Sequence, residues 1–404
     1  RNFMADSMGL AEKWPEGGPK KLWERDLGDG YSTIVADDGL LYTMYRVGED
    51  EFSVALDAKS GKTIWEHKHP SPSTEVMNQF GPGPHTTPTV DGVFVYTIGT
   101  NGMLNAFEKK SGAVLWSHDL VKEYNGFVPD RGYGSSPIVY KDTLIVVVDR
   151  PREDEDAKPK EGEPKKNTAG GISEAQSIVA FNKKSGDPMW TSQDLPVGYA
   201  SPVLIKFDGQ DQLVFVLQKD FIALNAGTGE LLWRHELKPE GANITTPVFD
   251  GKDTFFVSSA YDSGSRAIKL TRKDGRIVPE ELWYSRKMRV HHGNVIRLDD
   301  YVYGSSGDFG PAFFMAINLK TGETAWRERG FTKANCVHAD GKLILLDEDG
   351  QLALVTVDPK GMKILSQAKV AERNAWAAPT LVDKTLYVRD RKKIMALDLS
   401  AASG

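Results

Sequence analysis

One segment recurs along this chain: an apolar pair, an Asp, Asn or Glu, two variable residues, Ser or Thr, glycine, three more variable residues and then tryptophan. It reads ALDAKSGKTIW ending at Trp65, AFEKKSGAVLW at Trp116, AFNKKSGDPMW at Trp190, ALNAGTGELLW at Trp233 and AINLKTGETAW at Trp326. Two more copies depart from the pattern. KLTRKDGRIVPEELW reaches Trp283 after an extension, and TVDPKGMKIL puts Leu365 where the tryptophan is expected. Self-similarity with a period of about 40 to 50 residues specifies an array of stacked units, and that period holds four short strands. An array covering nearly the whole chain implies one closed body, so residues 1–404 are read as one domain.

Each unit has the same internal grammar. In TTPTVDGVFVYT followed by NGMLNAFEKKSGAVLW, a first strand reaches Val90 and Asp91-Gly92 turns into a second, Val93 to Thr97. Asn101-Gly102 turns into a third strand, Met103 to Phe107, and the fourth carries Trp116. The turn dipeptides accept positive φ, and the alternating apolar residues beside them supply a pleat with one buried face. No helical periodicity of any length appears. Counting fourth strands from Trp65 to Leu365 yields seven units. An eighth begins at NAWAAPTLVDKTLYVRDRKKIMALDLS, with three strands between Pro379 and Leu399 and no fourth. GPKKLWERDLG, around Trp23, has the shape of the missing strand. The N-terminal strand is therefore expected to complete the last unit, closing a ring and removing exposed sheet edges. The prediction is an all-β, eight-bladed β-propeller of four-stranded antiparallel blades.

Composition limits the partners. Lys+Arg 50 against Asp+Glu 56, a net charge of −6, provides no basic field for a phosphate backbone, which excludes nucleic acid. The single cysteine, Cys336, excludes an internal disulfide and a multi-cysteine metal site. No run of 18 apolar residues occurs, so no helical transmembrane segment is expected. The interval from Trp116 to Trp190 is the longest, and its surplus is RPREDEDAKPKEGEPKKNTAGGIS, residues 150–173. Balanced charge, prolines and no apolar anchor predict a mobile surface excursion in the third blade, with a lid over a ligand site as the alternative.

The repeat tryptophans at Trp65, Trp116, Trp190, Trp233 and Trp326 are read as structural. Each is expected to pack between its own blade and the next, beside the glycine of the preceding turn, where no side chain obstructs it. These quoted segments resemble the tryptophan-docking repeats of the eight-bladed quinoprotein propellers over almost the whole chain. The family has two branches. One, the pyrroloquinoline quinone (PQQ)-dependent alcohol dehydrogenases, holds the quinone and a calcium ion at the centre of the ring, with a disulfide of adjacent cysteines against the quinone. The other contains non-catalytic propellers similar to BamB, which bind partner proteins through loops. Cys336 has no neighbouring cysteine, so the resemblance leans to the second branch. It implies a periplasmic or secreted binding or scaffold protein whose leader is absent from this chain. The alternatives are a PQQ dehydrogenase without the disulfide, or a hydrolase or lyase at the channel mouth.

In a propeller, two sets of loops share one face: those joining the fourth strand to the next blade, and those joining second to third strands. The positions ahead of each first strand align as Tyr31, His85, Tyr133, Tyr199, Asn243, the pair His291 and His292, Asn335 and Trp376. Polar aromatics and amides converging on a channel mouth are candidate binders of a small ligand or a partner protein. No metal site is expected: adjacent strand residues point to opposite faces, so His291 and His292 do not chelate one ion unless they lie in a loop. If the protein is an enzyme, its chemistry falls to His291, His292 and Asp308, the last in the glycine-rich loop Tyr303 to Phe314, where a carboxylate can orient a histidine. Asp347, Glu348 and Asp349 lack the ligand series of a calcium loop and are read as a hairpin turn.

Overall fold

A computed structural model describes residues 3–72, 79–149, 177–239, 241–261, 263–308 and 311–401. The charged insertion at 150–173 lies outside the described residues. Eight antiparallel four-stranded sheets follow one another along the chain. Blade 1 runs from Val35–Asp37 to Thr63–Pro70, blade 2 from Thr89–Asp91 to Val114–Asp119, and blade 3 from Ile138–Tyr140 to Pro188–Ser192. Blade 4 spans Val203–Phe207 to Leu231–Glu236, blade 5 Val248–Phe249 to Arg276–Ser285, blade 6 Val295–Leu298 to Thr324–Arg329, and blade 7 Asn335–Ala339 to Gly361–Lys369. Blade 8 takes Thr380–Val382, Thr385–Arg389 and Lys393–Asp398 from the C-terminal end, and its outer strand is the N-terminal Lys20–Asp26. Trp23 pairs with Ala396 in that last sheet, so the ring closes as the sequence predicts. Helix among the described residues is limited to Leu120–Glu123, capped by the Asp119 carboxylate, which accepts from the Lys122 N–H.

The recurring segment now has a physical account, residue by residue. Its Asp or Asn caps the turn: the Asp57 carboxylate accepts from the Ser60 N–H at 2.8 Å, and Asn182, Asn225 and Asn318 do the same in their blades. Its glycine sits at φ between 69° and 79° at Gly61, Gly112, Gly186, Gly229 and Gly322, a region costly for any residue with a Cβ. The leading alanine faces the indole across the third and fourth strands, as in Ala55–Trp65, Ala106–Trp116, Ala180–Trp190, Ala223–Trp233 and Ala316–Trp326, and each of these pairings has a register shift beside it. A small residue opposite and a bulge alongside let the large ring tilt off its own sheet.

The tilt carries each indole onto the next blade, which corrects one expectation. The glycine under the ring is not the one four residues earlier but the equivalent glycine of the following blade. A Cβ on Gly112 would lie 2.5 Å from the Trp65 ring; Gly61, Gly186, Gly229 and Gly322 stand in the same relation to Trp23, Trp116, Trp190 and Trp283. The indole N–H then donates to a carbonyl of that neighbouring turn: Trp23 to Ala58 at 3.0 Å, Trp65 to Lys109 at 2.8 Å, Trp116 to Lys183 at 3.3 Å, Trp283 to Leu319 at 2.8 Å and Trp326 to Asp358 at 2.7 Å. Trp233 donates instead to Gln212 of its own blade. The neighbour it faces, blade 5, replaces the tight turn with the long hairpin Gly264–Lys273 and Arg276–Ser285.

The seam between blades 7 and 8, where Leu365 stands for tryptophan, is filled from outside the repeat. Trp14 is 5% exposed and shares a core cluster with Leu10, Ile344, Leu354, Leu386 and Leu397, with Leu365 packed against it. The Trp14 backbone N–H donates to the Ser366 hydroxyl at 3.0 Å, and the Ala11 N–H to the Leu399 carbonyl at 2.8 Å. An indole from the N-terminal segment thus occupies the seam that the seventh repeat leaves without one. At the closure between blades 8 and 1, the buried Arg389 guanidinium donates to the Ser32 and Met44 carbonyls and the Thr43 hydroxyl.

Candidate functional site

First strands of neighbouring blades approach one another around the axis, so the loops just ahead of them converge there. Backbone clamps set those loops. In HHGN, Gly293 comes so close to blade 7 that a Cβ would lie 2.2 Å from the Ala334 carbonyl oxygen. Asn294 both donates to the Cys336 carbonyl and accepts from the Cys336 N–H, at 2.9 and 2.6 Å. His291 and His292 are therefore loop residues ahead of Val295–Leu298, and strand alternation does not apply to them. Their rings lie against each other, centroids 3.7 Å apart.

From this pair a chain of stacked rings crosses the mouth. His292 stacks on Trp376 at 4.3 Å, Trp376 on Tyr31 at 4.9 Å, and Tyr31 on His85 at 5.4 Å. Phe80 meets the Trp376 ring edge-on, and the Tyr31 hydroxyl donates to the Phe80 carbonyl. The Trp376 indole N–H donates to Glu348 at 3.0 Å, the same carboxylate that pairs with Lys333 at 3.1 Å, and the Lys333 ammonium lies 5.6 Å from the Trp376 ring centre. Four rings from four inter-blade loops and a buried ion pair thus hold one another in place.

The sequence candidates divide by location. Tyr31, His85, His291, His292 and Trp376 come together. Tyr133 turns into the core between blades 2 and 3, with Tyr96, Leu120 and Val146. Asn243 and Asn335 serve the backbone: Asn243 donates to the Leu217 and Gln218 carbonyls, and Asn335 to the Trp376 carbonyl at 2.9 Å. Tyr199 is half-buried beside Gly134, where a Cβ would approach its ring to 3.1 Å. Asp308 reaches His291 indirectly. Its carboxylate accepts from the Tyr261 backbone N–H at 3.1 Å and lies 3.4 Å from Arg289, while the Tyr261 hydroxyl is 2.5 Å from His291 Nε2. Asp347 caps the Asp347–Gly350 turn, accepting from the Asp349 and Gln351 N–H groups.

The mouth is a poor place for a charged imidazole. Burial pushes His85 down to about 4, against the attraction of Glu51. Burial, then Lys333, brings His291 to about 4, with Asp308 opposing. His292 is held well below its ordinary range by burial and by His291, Lys333, His85 and Arg131. Burial also raises the Tyr31 hydroxyl to about 12 and raises Tyr199 and Tyr261. Arg131, Lys333, Tyr261 and Glu348 were missed by sequence reasoning. Arg131 and Lys333 each stand two residues ahead of an aligned candidate, Tyr133 and Asn335, so a wider window on each loop would have found them. Glu348 was read only as part of a hairpin turn, and nothing in the sequence marks Tyr261; both arrive on loops between second and third strands.

A family model described as outer membrane protein assembly factor BamB matches residues 17–150 and 49–328, most of the ring. The chain belongs to this family. Among solved structures, BamB from Moraxella catarrhalis aligns with 94% of this chain and 99% of its own, at a TM-score of 0.60 and 17% identity. Quinohemoprotein alcohol dehydrogenase from Comamonas testosteroni aligns with 100% of this chain and 79% of its own, at a TM-score of 0.68 and 12% identity. At such identities the likeness extends to the fold alone. Tetrathionate hydrolase of Acidithiobacillus ferrooxidans is 21% identical over 278 residues, 64% of this chain; the chain spans 48% of that protein's length.

Two features that the dehydrogenase branch sets around its quinone and calcium, adjacent cysteines and a group of metal ligands, are not found among the described residues. Trp376, the indole at the mouth, is already stacked with His292 and Tyr31. Cys336 is fully buried and alone, its thiol pushed up by burial. Among the described residues no three His, Cys, Asp or Glu side chains are grouped to hold a metal ion.

Proposed function

We propose that this chain is a non-catalytic binding propeller acting outside the cytoplasm, which presents its loop face and channel mouth to a partner protein or a small ligand. The observation that carries this reading is the ring stack from His85 to His292: the mouth is occupied by the protein's own side chains, braced by Glu348 and Lys333. Membership of the assembly-factor family supports a protein partner and a location in the cell envelope. Among the described residues no helix is long and apolar enough to cross a membrane.

The test is an assay of dye reduction by purified protein with added PQQ, calcium and a panel of alcohols and sugars. No reduction above the protein-free control is expected; reduction that requires PQQ overturns the reading. A second reading, hydrolysis at the mouth, has one observation in its favour: the Tyr261 hydroxyl lies 2.5 Å from His291 Nε2, a phenol–imidazole pair able to handle a proton, on a loop whose Tyr261 backbone N–H is held by Asp308. Tetrathionate is the first substrate to offer, given the relative named for its hydrolysis. Turnover unaffected by changing His291 and His292 to alanine would remove these residues from the chemistry.

A further inference from the structure

The residue two places after the tryptophan forms a second latch between blades. A strand alternates its faces, so a tryptophan that leans on the next blade sends the side chain two residues on in the same direction. In blade 8 this is Arg25, whose guanidinium crosses to blade 1 and donates to the Gly61 carbonyl at 3.0 Å and the Thr63 hydroxyl at 2.9 Å. His118 and Ser192 reach the equivalent carbonyls of Gly186 and Gly229 at 2.8 and 2.6 Å. Blade 5 carries Ser285 at this place, two residues after Trp283, and it turns back: its hydroxyl accepts from the Lys287 N–H of its own segment at 3.2 Å.

A cavity of about 360 Å³ opens in the seam that Ser285 leaves unlatched, lined by Lys287 from the segment leaving blade 5 and by Met315, Thr324 and Arg327 of blade 6. Met315, 1% exposed and packed in the core between these two blades, is its floor, and Arg327 stands opposite Met315 across the third and fourth strands. The Thr324 hydroxyl is the counterpart of the Thr63 hydroxyl that Arg25 serves, each two residues ahead of its tryptophan. Its oxygen is buried and has no hydrogen-bond partner among the described residues. The lining also reverses the charge of the closing seam, because the residue after the tryptophan is Glu66 in blade 1 and Arg327 in blade 6. The Arg327 guanidinium lies over the Phe313 ring, 5.0 Å from its centre. Among the described residues neither Lys287 nor Arg327 makes an ion pair, and no carboxylate lines the cavity. Two unpaired cations, an unserved hydroxyl and an apolar floor fit an anion that carries apolar surface.

We propose that the seam between blades 5 and 6 binds an apolar carboxylate, its charged end paired with Arg327 and Lys287 and bonded to the Thr324 hydroxyl, its hydrocarbon part lying on Met315. The guest takes the place that Arg25 holds in the closing seam, with the opposite charge because the lining has the opposite charge. A volume of this size lies at the lower end of the range for small-molecule sites, enough for a short acyl chain or one large side chain with its carboxylate. A free acid and the C-terminal residue of a polypeptide offer this same chemistry. The site is on the outer wall, carried by fourth strands, and is separate from the axial mouth, so it goes beyond the binding face already described.

Ligand-observed NMR titration of the full chain tests the proposal with hexanoate, N-acetylphenylalanine and, as the neutral control, N-acetylphenylalaninamide. Ionic strength is held low and constant, because exposed cations are screened by salt. The two acids are expected to bind saturably, and the amide about tenfold more weakly or worse, the loss that follows when a charge-assisted contact is removed. Arg327→Gln should weaken the acids by about tenfold or more; this side chain is exposed, so the fold is kept. Ser285→Glu offers the slot a carboxylate from within and should remove binding of the added acids, with a thermal melt at or above that of the wild type. N-acetylphenylalanine binding more tightly than hexanoate assigns the site to a chain terminus; hexanoate binding equally or more tightly assigns it to a free acid. No saturable binding of either acid, an amide that binds as well as the acid, or acid binding indifferent to both Arg327→Gln and Ser285→Glu overturns the proposal. PQQ-dependent dye reduction would overturn the non-catalytic reading of the mouth and leave this titration interpretable, because no quinone is present in it.

Discussion

The outer girdle and the axial mouth are both aromatic, yet they are built on opposite principles. In the girdle one solution is repeated: an indole leaves its own sheet, covers the next blade's glycine and donates to the next blade's carbonyl, as Trp65 does with Gly112 and Lys109. At the mouth the contributions vary from blade to blade. Tyr31, His85, the His291–His292 pair and Trp376 differ in size and charge, and they stack on one another rather than on their own repeats. Repetition marks what the ring needs in order to close. Divergence at equivalent positions marks where the blades were free to acquire something particular to this protein.

The largest expected effect lies in the girdle. Trp65→Ala removes an indole only 8% exposed along with its bond to Lys109, and should cost about 3–5 kcal/mol in urea denaturation. Trp14→Ala should cost about as much, although Trp14 lies outside the repeat, because it fills the seam beside Leu365. An effect on the scale of a surface substitution would show that the N-terminal segment does not complete the girdle.

Next comes the pH dependence of stability, which belongs to the mouth. The His85 and His291 imidazoles titrate near 6.5 when unfolded and near 4 when folded, so between these values the unfolded chain binds more protons. Stability should therefore fall as pH drops from about 6.5 to about 4, at up to about 1.4 kcal/mol per pH unit for each such proton, and level off below. Asp347, raised to about 6 by burial, acts in the opposite direction. The readout is thus the difference between wild type and a His85→Asn, His291→Asn variant, whose curve should be flatter; identical slopes would contradict the buried, neutral state of the stack.

Smaller effects sharpen the contrast. Gly112→Ala forces a Cβ to within 2.5 Å of the Trp65 ring, whereas Gly92→Ala enters open space, although both have positive φ. The first should cost about 1–3 kcal/mol more than the second in thermal or urea melts, since overpacking adds to the backbone strain they share. Smallest should be Trp376→Ala, for this ring is half-buried and clamps only the mouth. A loss of about 1 kcal/mol or less is expected in the same melts. A loss as large as that of Trp65→Ala would erase the distinction between girdle and mouth.

How far the sequence was legible follows the same division. Turn, glycine and tryptophan recur in register, so the blade count, the strand order and the role of Trp23 could be read directly, and they agree with the eight sheets and the Trp23–Ala396 pairing. What the period concealed is relation between blades: that Trp65 covers Gly112 rather than Gly61, and that Trp14 stands in for the tryptophan absent at Leu365. At the mouth, alignment by position found Tyr31, His85, His291, His292 and Trp376 but could not separate them from Tyr133, whose ring turns into the core, or from Asn335, whose amide holds the Trp376 backbone.

By itself, then, the sequence determined an eight-bladed closed ring and the segment that clamps it, because local turn chemistry and strand alternation act over a few neighbouring residues and repeat. Only the tertiary structure decided which side chains meet at the axis. Arg131, Tyr261, His292 and Lys333 are far apart in the chain and carry no shared motif. Ring closure brings their loops to one face, where burial and the charges of neighbouring loops hold the His292 imidazole well below its ordinary range.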